Sequence, residues 1–376
     1  MTSLSQEIQG VRIFLHRLFK KYVKQIPSAA ENDAITVRSH APCLVIKSGG
    51  SSHPLFTHSI GHTIVAMFLM YSYIKSMRIQ KLKGLDIVPP KSTSGEYETH
   101  PNMYKMHQVC IIVGKRQSGK TTALVSLLEQ MKYDRILFVS PTMKSNKEIL
   151  SRLKIDENDI FDDCDDPTVI DKIKKIVEDE AKDLERYKDE MRRYNKLMKA
   201  INTDHMPINE EDMIAFFNDR DFMKPTHRYN GEKPRVAVVF DDCLGSGLYS
   251  RPRKLNALST YSRHIGQLAE GGSIGISLFF LIQSFKAQTG GLNKVIRNQC
   301  TSLMLFKTKD KNELIDVADS VAGEIDQNTF MDVYNEAIQD GNNHQFLSID
   351  LHRKKNHPSM FRRRFSEFLI PGPEKK

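Results

Sequence analysis

The chain has 376 residues, 40% hydrophobic and 27% charged, with 55 Lys/Arg against 46 Asp/Glu and a formal net charge of +9. This is enough apolar material for a sizeable core, in one large domain with additions or in two domains. The five cysteines (Cys43, Cys110, Cys164, Cys243, Cys300) are scattered and form no C-x-x-C pair, which argues against a disulfide framework or a zinc site and points to a reducing compartment. The net positive charge suits a polyanion partner such as nucleic acid, and equally suits ordinary solubility.

Residues 1–105 are predicted to be mostly helical and basic. Leu4, Ile8, Val11, Leu15, Leu18 and Tyr22 recur at intervals of three and four, the spacing of an amphipathic helix. Arg12, His16, Arg17, Lys20, Lys21 and Lys24 lie on or near its other side, so the apolar face is interleaved with cations, unlike a secretory signal. Such a helix either packs on the core or serves as a contact arm for DNA or a partner. Residues 60–74 are the most apolar stretch, but they are too short to span a bilayer and contain His62, Thr63 and Ser72. A buried helix is the expectation, a membrane-surface helix the alternative, and no integral membrane span is expected. Residues 89–95, Pro-Pro-Lys-Ser-Thr-Ser-Gly, have linker chemistry within a linker near 84–105.

Residues 106–351 alternate apolar runs with helical patterns. The runs at 108–113, 135–140, 235–240, 274–282, 300–306 and 345–350 are apolar on both faces. They predict an α/β fold, a mostly parallel sheet with helices on both faces. A helical insertion is expected at about 144–230. Within it Ile170, Ile173, Val177, Leu184, Tyr187, Met191, Tyr194, Met198 and Ile201 follow a three–four alternation interrupted at Glu180. This predicts one long helix with a narrow apolar stripe, packed on its own chain or on a neighbouring subunit.

Residues 352–376 form a basic tail in which Phe361, Phe365 and Phe368 interleave with Arg353, Lys354, Lys355, Arg362, Arg363, Arg364, Lys375 and Lys376. Aromatic residues among cations suit nucleic acid, and a docked tail with charged flanks has the same pattern.

Residues 114–121 read Gly-Lys-Arg-Gln-Ser-Gly-Lys-Thr, the pattern G-x-x-x-x-G-K-[ST], between an apolar run and a helical segment. That strand–loop–helix context identifies a phosphate-binding loop. Gly114 and Gly119 let the backbone turn its N–H groups inward, and the helix N-terminus adds partial positive charge. Lys115, Arg116, Gln117 and Ser118 complete the loop and Thr122 follows it, so residues 114–122 are assigned to ATP. Lys120 is assigned to the β- and γ-phosphates and the Thr121 hydroxyl to Mg²⁺.

The run 236–240 ends in Asp241-Asp242. An apolar strand delivering acids at its C-terminal end is the second half of a nucleotide site. Asp241 is assigned to the Mg²⁺ shell through water, and Asp242 to orienting or deprotonating the attacking water. The run 274–282 ends in Gln283, a polar group able to sense the γ-phosphate or its water, or a strand-end amide bonded to backbone. Arg263 and Arg297 flank that run, and either suits an arginine finger reaching a neighbouring subunit's site, or a surface ion pair.

These motifs resemble the genome-packaging ATPases of nucleocytoplasmic large DNA viruses, the poxvirus type, within the FtsK–HerA superfamily of P-loop ATPases. The resemblance covers roughly residues 106–310. It rests on 114–121, on 236–242, on Arg263-His264 ahead of a strand, on Leu281-Ile282-Gln283-Ser284 and on Ile296-Arg297-Asn298-Gln299-Cys300. In that family the Arg-His pair stands close to its strand, whereas here residues 265–273 intervene, including Gly271-Gly272. The resemblance implies a ring of identical subunits, a pentamer or hexamer, that hydrolyses Mg-ATP to push double-stranded DNA into a capsid. It further implies a capsid or portal-vertex partner, and a place in host cytoplasm, viral factory or virion. It does not reach the first hundred residues.

Two other readings compete. A monomeric P-loop nucleotide or polynucleotide kinase needs a lid with catalytic arginines, and no lid pattern is visible. A nucleotide-binding capsid-associated scaffold needs neither Asp242 nor Gln283. A GTPase needs an Asn-Lys-x-Asp motif, which the sequence lacks.

Overall fold

The six apolar runs all form strands, with ends shifted by one or two residues, because runs apolar on both faces are stable only where both faces are covered. The computed structural model describes residues 97–372 apart from 146, 204–209, 211–213, 215–222, 287–290, 322–324 and 340–343. The predicted helix at 4–22, the apolar stretch at 60–74 and the linker at 89–95 lie outside the described residues.

In chain order the first elements are β1 (Val109–Val113), α1 (Lys120–Met131), β2 (Arg135–Val139), α2 (Lys147–Leu153), β3 (Ile160–Phe161) and α3 (Val169–Ile201). They are followed by β4 (Val236–Asp241), α4 (Gly247–Ser250), α5 (Arg253–Tyr261), β5 (Ile276–Ile282), α6 (Lys294–Asn298) and β6 (Ser302–Phe306). Last come α7 (Lys311–Val321), α8 (Gln327–Ala337), β7 (Phe346–Asp350), β8 (Phe361–Arg363) and β9 (Glu367–Leu369).

The described residues build one nine-stranded sheet in the order β3-β2-β4-β5-β1-β6-β7-β8-β9. Strands β1 to β6 pair in parallel, and β6–β7, β7–β8 and β8–β9 pair antiparallel. This is the α/β fold expected, a mostly parallel sheet with helices on both faces, with β5 lying between β1 and β4. The register sets Val113 beside Ile282 and Asp241 beside Leu281, so the C-terminal ends of β1, β5 and β4 lie level.

Alternate residues of each strand enter different cores. Cys110, Ile112, Val239, Phe279 and Leu281 pack under α1 through Leu124, Leu127 and Leu128. Ile111, Val113, Val238, Phe240, Leu278 and Phe280 face Ile173 and Val177 of α3, Leu258 of α5, Val317 of α7 and Phe330 of α8. Each such buried side chain contributes about 2 kcal/mol relative to an exposed one.

The insertion carries the long helix its spacing predicts. Ile170, Ile173, Val177 and Leu184 of α3 are buried against their own chain. Glu180, which interrupts the stripe, is a buried acid whose Oε1 accepts from Arg135 Nη1 at 2.6 Å. Arg135 also donates to both oxygens of Asp159 at 3.0 and 2.6 Å. The interruption is thus an ion pair that ties α3 to β2 and to the start of β3. Ahead of α3 the insertion adds β3 to the sheet edge, a two-residue strand too short to leave a periodicity.

The C-terminal segment is docked. Phe361 is buried, and Phe365 meets Phe346 edge-on with centroids 5.2 Å apart. Arg362 is 1% exposed, stacked between the rings of Tyr104 and Phe368 at 5.0 and 4.6 Å. Its guanidinium donates to the Asn102 carbonyl and lies 3.5 Å from Asp350 Oδ2. Arg363 pairs with Glu336 and Glu367, and Arg364 donates to Gln345. Arg353 and Lys355 are exposed.

Candidate nucleotide site

The loop predicted to hold phosphate joins β1 to α1. Gly114 donates its N–H to the Ile282 carbonyl at 3.1 Å. A Cβ on Gly114 would stand 2.6 Å from Ser118 Oγ and 2.9 Å from Phe306 Cβ, so only glycine fits there. Gln117 (φ 61°) and Gly119 (φ 95°) are both left-handed, which curls the loop back over the helix start. The first turn of α1 has no acidic residue and Gly119 supplies no side-chain cap, so its amides remain open to an anion.

Three features of this loop fit a phosphate. The half-buried Lys120 ammonium donates to the Gly114 and Lys115 carbonyls at 2.7 and 3.1 Å. Ser118 Oγ is buried without a hydrogen-bond partner. The turn leaves no room for a Cβ at Gly114. Burial lowers the pKa of Lys120, and the negative charges of Asp241 and Asp242 oppose that shift.

Asp241 is buried at the end of β4, and its carboxyl is pushed up to about 6, first by burial and then by the neighbouring Asp242 charge, with Lys120 opposing. A divalent cation beside it would reverse that cost. Among the described residues no cluster of three or more His, Cys, Asp or Glu side chains could hold a metal alone. Mg²⁺ takes most of its ligands from water and phosphate, so a site built on the predicted Thr121 and Asp241 needs no such cluster.

Asp242 is exposed and left-handed (φ 54°), a conformation Asp tolerates better than most residues. The turn is held from below by Cys243, whose buried Sγ lies 3.2 Å from the Val139 carbonyl and 3.0 Å from Cys164 Sγ. The Cys164 contact and burial push the Cys243 thiol upward and keep it protonated.

Gln283 follows β5 directly, exposed between the loop and the acids in strand order. Two residues further on, Phe285 donates its N–H to Glu313 of α7, a buried carboxylate that also accepts from the Thr308 hydroxyl, both at 3.1 Å. In sequence Glu313 reads as one more charged residue at a helix start.

The two arginines are placed differently. Arg263 precedes β5 and shares a cleft of about 1370 Å³ with Val109 and Ser302, which start β1 and β6. It is exposed and pairs with no carboxylate among the described residues. The seven-residue β5 separates it from Gln283 by roughly 20 Å, so Arg263 does not reach the loop of its own chain. Arg297 donates to the Leu292 carbonyl at 2.6 Å and covers the Phe285 ring at 5.6 Å. Its guanidinium is engaged within its own chain.

One residue at the loop has no sequence signature. His344, just before β7, reaches the Ser118 carbonyl with Nδ1 at 3.1 Å across 226 residues of chain.

No protein-family model matches the sequence, and neither does any curated protein. Among solved structures the chain is similar to the genome-packaging NTPase of Sulfolobus turreted icosahedral virus 2 in complex with AMP. That pair is 12% identical over 68% of this chain and 96% of the other, with a TM-score of 0.34. The DNA-packaging ATPase from Sulfolobus turreted icosahedral virus is 13% identical over 69% and 98%, with a TM-score of 0.36. The conjugation coupling protein TcpA of pCW3 is 16% identical over 66% and 58%, with a TM-score of 0.31. At these values the functional reading rests on this chain's own residues. No helix among the described residues is long and apolar enough to cross a membrane.

Proposed function

We propose that the chain is an ATP-hydrolysing motor that moves double-stranded DNA, acting as a ring of identical subunits that packages a viral genome. The observation carrying the reading is the placement of β5 between β1 and β4, which sets Gln283 between the phosphate loop and Asp242. A protein that only binds nucleotide needs neither residue.

In this reading the amides of 114–121 and the Lys120 ammonium hold the phosphates. The Thr121 hydroxyl and, through water, Asp241 would hold Mg²⁺, which would supply positive charge to the phosphates. Asp242 accepts a proton from the water attacking the γ-phosphorus as the bond to ADP breaks, and Gln283 orients that water. Arg263, at the opposite end of β5 from Gln283, serves the site of the next subunit. The sequence motifs and the net charge of +9 support DNA as the substrate moved, with a capsid or portal-vertex protein as the docking partner.

The test is ATP hydrolysis measured with and without double-stranded DNA, together with native mass spectrometry of the same samples. Rings that bind DNA and hydrolyse faster on it are the expected result. A monomer whose turnover ignores DNA overturns the motor reading and leaves an isolated ATPase.

A further inference from the structure

The outer side of the phosphate loop is packed by the β6–β7 pair. Phe306, at the end of β6, stands against Gly114, and its ring lies 4.9 Å from that of Phe346, its register partner in β7. Gln345 is buried, and its Oε1 accepts from Arg364 Nε at 2.7 Å. These contacts fix the residue that precedes them. His344 places Nδ1 3.1 Å from the Ser118 carbonyl, and a Cβ on Gly119 would stand 3.0 Å from the same nitrogen.

The acceptor is a carbonyl, so Nδ1 carries the proton and donates. A trans peptide unit is planar, and its C=O and N–H point in opposite directions. Holding the Ser118 carbonyl outward therefore aims the Gly119 N–H inward, toward the space that the loop encloses. Gly119 needs the help. It is left-handed at φ 95° and has no side chain to restrict its rotation, so an unrestrained 118–119 peptide can flip.

Resting on the nucleotide-site reading above, we propose that His344 is a positioning residue that fixes the 118–119 peptide so that the Gly119 amide meets a phosphate of the bound nucleotide. His344 does not touch the reacting atoms, so its contribution appears in nucleotide affinity and not in turnover at saturation. Without the bond, part of the nucleotide's binding free energy goes into ordering the peptide.

The experiment measures ATP affinity by calorimetry and turnover at saturating ATP for the full chain and three variants. His344→Ala removes ring and donor, His344→Phe fills the space without a donor, and His344→Asn restores a donor near the Nδ1 position. His344→Ala and His344→Phe are expected to weaken ATP binding about fivefold to tenfold with turnover at saturation within twofold of the parent. His344→Asn is expected to recover most of the affinity. If Asn and Phe behave alike, or if turnover falls while affinity is unchanged, the inference is overturned. If His344→Ala does not fold, the Asn and Phe pair still decides. Failure of the parent chain to bind ATP would instead remove the nucleotide-site reading, so the two failures are distinguishable.

Discussion

The Gly114 amide donates to the Ile282 carbonyl at 3.1 Å, joining the first residue of the phosphate loop to the residue before Gln283. The bond makes the end of β5 part of the loop's own support. A displacement of either segment by nucleotide is therefore transmitted to the other through one peptide group, without a long chain of contacts.

Lys120→Ala is expected to lower ATP hydrolysis by roughly 100-fold or more, about 3 kcal/mol of transition-state stabilisation. The ammonium bonds only to loop carbonyls, so the thermal midpoint should move little. Steady-state hydrolysis and a thermal melt on the same preparation check both halves. Unchanged turnover would remove the phosphate-loop assignment.

Asp242→Asn is expected to retain Mg-ATP binding within a few fold while single-turnover hydrolysis falls by about 100-fold or more, because the amide keeps the shape and cannot take a proton. If binding collapses and the rate per bound ATP is unchanged, Asp242 is the metal-shell residue and its role exchanges with that of Asp241.

Arg362→Ala is expected to destabilise the fold by about 3 kcal/mol, because it strands the buried Asp350 beside it. The sign of the pH dependence follows from that carboxyl. Burial raises the Asp350 pKa in the folded chain, and Arg362 and His357 hold it down. Removing Arg362 raises it further. An acid whose folded pKa lies above its unfolded value favours the folded state when protonated and penalises it when ionised. The deficit of the variant should therefore be largest at neutral pH and shrink as pH falls through the raised carboxyl range. Urea denaturation across pH measures it. A deficit independent of pH would place the loss in the packing between Tyr104 and Phe368.

Double-stranded DNA is expected to stimulate hydrolysis, with binding that weakens steeply as salt rises and with little sequence preference. Arg353 and Lys355 are exposed on the C-terminal segment and suit phosphate contact. Replacing both with Gln should reduce the salt slope by one to two, roughly one per contact. An unaltered slope assigns DNA contact to another surface.

Arg263 is expected to act between subunits. Mixing the inactive Lys120→Ala and Arg263→Ala chains should restore partial activity, because an intact loop can then meet an intact Arg263 from the other variant. A mixture made with Arg297→Ala is the control, since that guanidinium is bonded to the Leu292 carbonyl. Recovery only with the Arg297 variant exchanges the two assignments. No recovery in rings that demonstrably mix removes the finger in trans.

The sequence by itself determined the strands, the glycine turn between β1 and α1, and the acids at the end of β4. Each is encoded within a few neighbouring residues, as an apolar run, a glycine spacing or a strand-end carboxylate. The long helix α3 was legible for the same reason, since its stripe repeats locally. Tertiary structure alone decided that Glu180 interrupts that stripe to meet Arg135, and that Arg362 in a basic run is a core residue. It alone brought His344 to Ser118, 226 residues away. A buried charge or a lone histidine has the same sequence appearance whether its partner exists or not. The partner comes from another strand or helix, and only the folding of the whole sheet brings it within hydrogen-bonding distance.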